Sequence, residues 1–136
     1  MKIKLDRGAF VPTRAHGTDA GADLRSPVDT VVPAWGSRVI DTGVHIQLPR
    51  GYVGMLKSKS GLNVKNDITS EGVIDEGYTG AIKVKLYNHS HEPYIIGRGD
   101  KITQLVILPC EYVKFDLVDY LEDSERGGDG FGSTGK

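Results

Sequence analysis

A chain of 136 residues is the length of one domain, and 18 glycines with six prolines make turns frequent and long uninterrupted helices scarce. Seventeen Lys+Arg against 18 Asp+Glu argue against a large basic face for nucleic acid, and no apolar run approaches the ~20 residues of a membrane span. Cys110 is the only cysteine, which excludes an internal disulfide framework and a cysteine-based zinc cluster.

The first residues, Lys2-Ile3-Lys4-Leu5, alternate charged and apolar side chains as a half-buried strand does, and they hold no apolar signal core. A cytoplasmic protein is expected, or one in the host-cell interior if a phage or virus encodes it. In Ala20-Gly21-Ala22-Asp23-Leu24, Asp23 either supports a metal shell or pins a turn. Val28–Val32 is apolar on both faces, the pattern of a deep strand or a subunit contact. Val44, Ile46 and Leu48 alternate with His45 and Gln47 and predict another strand.

Ser60 to Asn66 reads as a Ser-capped helix of about two turns. With Lys59 before it, its start offers amides, a hydroxyl and a full charge to an anion, while Ser60 as a plain cap is the competing reading. Gly72-Val73-Ile74-Asp75-Glu76-Gly77-Tyr78-Thr79-Gly80 places an acid and an aromatic in a glycine-bounded turn. Asp75 is there either a general base or the residue of an Asx-turn, and Tyr78 either a platform for a ring or a packing residue. Ile82, Val84 and Leu86 alternate with Lys83, Lys85 and Tyr87, Ile102–Leu108 is apolar on both faces, and Val113, Phe115 and Leu117 alternate with Lys114 and Asp116; each predicts a strand. His89-x-His91 reads as loop surface.

From Glu122 the sequence runs EDSERGGDGFGSTGK, in which Phe131 is the only large apolar side chain. Such a segment buries too little to offset its ordering entropy and is expected to be a flexible arm. Its Gly130 to Lys136 fits part of a phosphate-binding P-loop, but that device needs a helix after it, so a P-loop fold is rejected. Glycine amides, two hydroxyls and Arg126 still suit an anion, with Phe131 as a stacking face. The chain therefore divides into a β domain over 1–121 and an arm over 122–136.

Five segments in order resemble the trimeric dUTPase family. They are Ala20–Leu24; Lys59-Ser60-Gly61-Leu62; Gly72-Val73-Ile74-Asp75 through Tyr78-x-Gly80; Gly99-Asp100-Lys101-Ile102-Thr103-Gln104-Leu105; and Arg126-Gly127-Gly128-Asp129-Gly130-Phe131-Gly132-Ser133-Thr134-Gly135. The resemblance implies an all-β, distorted jelly-roll subunit of the β-clip type with one short helix. It also implies a homotrimer with three composite sites, in which motifs one, two and four of one subunit meet the third motif of a neighbour. The arm of another subunit closes over the nucleotide.

The resemblance further implies hydrolysis of dUTP to dUMP and pyrophosphate with Mg²⁺, without nucleic-acid or membrane partners. Asp75 would activate the attacking water. Backbone around Val73, Ile74 and Asp75 and at Lys83 would read uracil, and Tyr78 would lie under the deoxyribose. Lys59, Ser60, Gly61 and Gln104 would face the triphosphate. Arg126, Gly132, Ser133 and Thr134 would close on it, with Phe131 over the base. Asp23 would act on the metal indirectly, through water.

This sequence departs from the family pattern at four places. Lys59 stands where arginine is usual and lacks its bidentate fork. Gly77 replaces a common aspartate, Thr69 occupies a position often taken by asparagine near the uracil, and Asp129 adds a negative charge to the arm. Two alternatives are a dCTP deaminase and a non-catalytic nucleotide-binding module. The deaminase's catalytic glutamate should fall where this chain has Lys85, and the full set of polar site residues, Asp75 included, argues against the second.

Overall fold

Strands that alternate apolar and polar side chains must lay their apolar faces against a second layer, and this chain does so by curling antiparallel strands over one another. The computed structural model describes residues 1–128. In chain order its elements are β1 (Lys2–Leu5), β2 (Gly21–Arg25), β3 (Thr30–Val32), β4 (Ser37–Asp41), β5 (Val44–Gln47), β6 (Tyr52–Lys57), α1 (Ser60–Asn66), β7 (Ile68–Ile74), β8 (Lys83–Asn88), β9 (Tyr94–Ile96) and β10 (Lys101–Pro109). Six strands form the main sheet in the order β2-β10-β6-β7-β8-β4, while β1-β5 and β3-β9 are two-stranded ribbons. Every pairing is antiparallel. The fold is the expected all-β jelly roll with one short helix.

The buried apolar side chains are all aliphatic, with Leu24, Leu56, Ile82, Val84, Leu86 and Ile102 among the most enclosed. In β8 the alternation holds residue by residue: Val84 and Leu86 lie inside and Lys83, Lys85 and Tyr87 outside. In β10, Ile102, Thr103 and Leu105 are buried and Val106 and Ile107 half-buried, while Leu108 is exposed near its end. Of residues 28–32 only Val32 is deep. Val28 and Val31 are exposed, Val31 on the face of β3 opposite to Val32. The lone tryptophan, Trp35, stands at the tip of the β3–β4 turn with φ 52° and is 72% exposed.

Two expectations are corrected. α1 spans the predicted residues, but its N-cap is Lys59, which makes no side-chain capping bond, and Ser60 is the first helical residue. The strand expected at Val113, Phe115 and Leu117 does not form. No strand follows Pro109 among the described residues, and Phe115 and Leu117 are 93% and 103% exposed. Alternation fits a side-chain pattern to a sheet, but a strand also needs a neighbouring backbone to bond, and none lies beside this segment among the described residues.

Leu86 is fully enclosed, so Leu86→Ala should cost about 2–5 kcal/mol in chemical denaturation at fixed protein concentration. A loss below about 1 kcal/mol would show that this part of the core collapses readily around a void.

Candidate active site

The register of the main sheet sets one row of polar side chains across four strands. Gln104 of β10 lies opposite Asp23 of β2 on one side and Lys57 of β6 on the other, and Lys57 lies opposite Glu71 of β7. Side chains of directly opposed residues share a face, so the row presents a charged band. Lys57 Nζ donates to Glu71 Oε1 at 2.7 Å. Asp23 is nearly buried and holds two ammonium groups, Lys59 on Oδ1 at 2.5 Å and Lys101 on Oδ2 at 2.7 Å. Burial pushes its carboxyl pKa up, but the bonds from Lys101 and Lys59 outweigh that and hold it below its ordinary value.

Asp23, Lys57, Lys59, Lys101 and Gln104 line a cleft of about 420 Å³ with Ala15, Asp19, Ala20 and Gly21. Gln104 Nε2 donates to the Ser58 carbonyl at 3.2 Å, and its side chain lies across the space that a Cβ on Gly21 would fill. Ser60 and Gly61, just beyond Lys59, are exposed, and nothing lies within 4 Å of the Cβ position of Gly61. The first, second and fourth motifs thus converge at one end of the sheet.

The third motif lies at the other end. β7 delivers Val73 exposed and Ile74 buried, then turns. The Tyr78 N–H closes the turn on the Asp75 carbonyl at 3.1 Å, with Gly77 at φ 87°, the left-handed position that such a turn reserves for glycine. The bond is made by the Asp75 backbone, not its side chain, so the Asx-turn reading is not the one realised. The Asp75 carboxylate is exposed and takes no hydrogen bond among the described residues. Tyr78 folds its ring over Gly80 and donates its hydroxyl to the Ala81 carbonyl at 2.9 Å. A Cβ on Gly80 would lie 2.5 Å from the Tyr78 hydroxyl oxygen, so the absence of a side chain there gives the ring its place. Glu76 fastens the turn from beneath, accepting from the Gly51 N–H at 2.8 Å and from the Tyr112 hydroxyl. Those two bonds hold its carboxyl below the ordinary range, the tyrosine's being the stronger cause.

The remaining expected residues fall near this end or outside it. Lys83 is exposed at the start of β8, opposite Asp41. Thr69 hydrogen-bonds His89 Nε2 at 2.8 Å and is therefore occupied within its own sheet. Arg126 is exposed near the end of the described residues. Phe131, Gly132, Ser133 and Thr134 lie outside the described residues. Lys101 was not anticipated as a partner of Asp23: it sits inside the fourth motif, but a register shift between Lys101 and Thr103 aims it, and no local pattern signals that.

Glu71 belongs to the first group's row and Asp75 follows four residues later, just past the end of β7, so roughly 13 Å of chain separates these two positions. α1 leaves β6 beyond Lys57, away from Asp75, which adds to the gap. That distance is longer than a triphosphate. One chain thus places bound lysines, exposed amides and a carboxamide at one end of the sheet, and an exposed carboxylate with an aromatic ring at the other.

The dUTPase family model matches residues 8–135. The deoxyuridine 5'-triphosphate nucleotidohydrolase of Gloeothece citriformis is 41% identical over 99% of this chain and 97% of its own, and that of Saccharomyces cerevisiae 41% over 99% and 94%. Among solved structures, the dUTPase of Staphylococcus bacteriophage 80alpha with dUpNHpp superposes with TM-score 0.92 at 33% identity, over 99% of this chain and 98% of that one. A variant dUTPase of phage phi11 of S. aureus, described for its coordination of a structural Mg(II) ion, gives TM-score 0.81 at 30% identity, over 90% and 98%.

Two outcomes follow from the geometry. Gly80→Ala should displace the Tyr78 ring and break its bond to Ala81 at a cost of about 1–3 kcal/mol, seen in a crystal structure and by denaturation. An unmoved ring would refute the close-approach argument. Asp23, with its folded pKa below the unfolded 3.8, contributes stability that is complete above that value and is lost as pH falls through the lower folded value. Lys101→Met should raise the Asp23 pKa in an NMR titration and move acid unfolding to higher pH; an unchanged titration would mean that Lys101 does not set it.

Proposed function

The chain belongs to the dUTPase family, and from that premise we infer that it is a dUTP diphosphatase, hydrolysing dUTP to dUMP and pyrophosphate. The observation that carries the mechanism is the separation of these two ends. A water at the α-phosphorus must touch Asp75 while the phosphates reach Ser60 and Gln104, and one chain cannot supply both. The site is therefore composite, and the working molecule is a homotrimer in which the Asp75 end of one subunit faces the Asp23 end of another. Phe115 and Leu117, with nearly all their surface uncovered at home, support a C-terminal segment that finds its packing on a neighbouring subunit.

Within that site each group has one task. The exposed Asp75 carboxylate orients a water and takes its proton as the oxygen bonds to the α-phosphorus; the bond from that phosphorus to the bridging oxygen breaks, and pyrophosphate carries the electron pair away. Tyr78 lies under the deoxyribose, where a 2′-hydroxyl would collide with its fixed ring. The peptide groups of Val73 to Asp75 and Lys83 pair with the uracil edge. Ser60, Gly61 and Gln104 hold the triphosphate, and Lys59, already spent on Asp23, adds a neutralised rather than a full positive charge. Residues 1–121 form the body and 122–136 the arm, whose Arg126, Phe131, Gly132, Ser133 and Thr134 cover the bound nucleotide and exclude bulk water.

The residues fit Mg²⁺ as an ion that arrives on the phosphates. No group of three or more metal-binding side chains occurs among the described residues, and each Asp23 oxygen already carries a lysine. A carboxylate oxygen retains a further lone pair, so Asp23 would hold such an ion through water rather than bind it directly. When bound, Mg²⁺ offsets charge on the phosphates. No described helix is long and apolar enough to cross a membrane, and the proposed location is the cytoplasm, or a host-cell interior for a phage or viral protein.

Pyrophosphate release with Mg²⁺ should favour dUTP over dCTP, dTTP and UTP; equal rates would sink the uracil and deoxyribose contacts. Asp75→Asn should lower kcat by about 10²–10⁴-fold while nucleotide binding persists. Assembling Asp75→Asn subunits with Gln104→Ala subunits tests the composite site. If each site takes residues 75 and 104 from different chains, about a quarter of the sites become intact and activity returns, whereas a site within one chain recovers nothing.

A further inference from the structure

His45 faces outward from β5, where β1 pairs with it, and its ring reaches the loop of the third motif. Nδ1 lies 2.8 Å from the Thr79 carbonyl oxygen and Nε2 lies 3.0 Å from Asp6 Oδ2. The side chain is only 18% exposed. A carbonyl and an ionised carboxylate both accept hydrogen bonds and donate none, and only the imidazolium has an N–H on each nitrogen. A neutral ring would leave one nitrogen lone pair facing an oxygen lone pair. We infer that His45 is a positioning residue for the Tyr78–Gly80 segment, which it holds as an imidazolium between Asp6 and the Thr79 carbonyl.

The inference rests on the dUTPase reading for its consequence, since the segment held is the one proposed to lie under the deoxyribose. Its geometry stands by itself. Thr79 sits between Tyr78 and the glycine beneath the Tyr78 ring, so the carbonyl that His45 grips is in the short link that sets the ring. The anchor on the far side is firm: the Asp6 N–H bonds the Gly43 carbonyl at 2.8 Å, tying it to the start of β5. The loop is thereby fastened to the β1-β5 ribbon as well as to the main sheet.

The charged groups around the ring agree with a proton held there. β1 brings Lys4, opposite His45 in register, and the Asp6 carboxylate follows it; Lys2 lines the same cleft; the 75–80 loop presents the Thr79 carbonyl. The hydrogen bond that His45 donates to Asp6, then that to Thr79, raises the His45 pKa against the opposing effects of burial and of Lys4. Reciprocally, the bond to His45 holds the Asp6 carboxyl down. A raised folded pKa means that the link is present at low pH and is lost as pH rises through that value. The last proton stays with the carboxylate, whose bond is charge-assisted, so the Thr79 contact is the one released.

The experiment follows His45 ring protons and the Tyr78 and Gly80 amides by NMR in the free protein from pH 5.5 to 9, alongside KM for dUTP and the dUTP/UTP preference. The expected result is a common midpoint for His45 and the two amides, moved to lower pH in Asp6→Asn. KM for dUTP should rise about five- to tenfold above that midpoint in the native chain, as loss of one hydrogen bond of ordinary strength predicts, with kcat less affected. His45→Gln, which keeps a donor but does not titrate, should flatten that step. The titrations of dUTP itself are common to both proteins and cancel. Amides that ignore the His45 titration, or an identical KM step in His45→Gln, would overturn the inference. Amides that follow it in a chain that does not hydrolyse dUTP would support the linkage and overturn the dUTP reading.

Discussion

An antiparallel ladder has no slack along its strands. A slip of one residue turns every side chain to the opposite face, so the buried aliphatic faces of β10, β6 and β7 lock the register in which Asp23, Gln104, Lys57 and Glu71 stand in one row. That row determines where Asp75 comes to rest, because the strand rises by a fixed step per residue. The distance between the acid and the phosphate-facing groups is thus a property of the core. The hydrophobic packing of these strands therefore sets how far apart the two ends stand.

The electrostatics follow the same division. At one end Asp23 holds two lysines and is in turn ionised by them, so the positive charge is organised before a nucleotide arrives. At the other end Asp75 has no such partner among the described residues. Preorganised dipoles and charges stabilise an anion more effectively than groups that must be reoriented. A lysine bonded to a buried carboxylate, in place of arginine, concentrates that organisation at one nitrogen atom and leaves no second fork for the substrate.

What the sequence disclosed, and what it concealed, has a physical division. Local periodicity found β8 and β5, because burial of one face acts on residues two apart. The motifs singled out Asp23, Gln104, Asp75 and Tyr78, residue types that phosphate and nucleoside chemistry calls for. Periodicity failed at Val113–Leu117, where alternation is present without a backbone partner at hand. It failed at Ser60, where cap and first helical residue differ by one position. Lys101 and His45 were hidden for another reason: the first is aimed by a register shift, and the second acts across contacts 34 and 39 residues long in sequence. Such contacts exist only once the ribbons have assembled.

The aliphatic interior and the position of Trp35 give the molecule an unusual optical character. Its only indole sits at the tip of a turn, 72% exposed, while no aromatic ring among the described residues is fully enclosed in the core. Emission excited selectively at the indole is therefore nearly blind to melting of the interior, since water surrounds most of the ring before and after. The same signal is sensitive to whatever settles on the β3–β4 edge. For this chain, tryptophan fluorescence is a surface probe, and loss of the fold is better followed through the amide backbone.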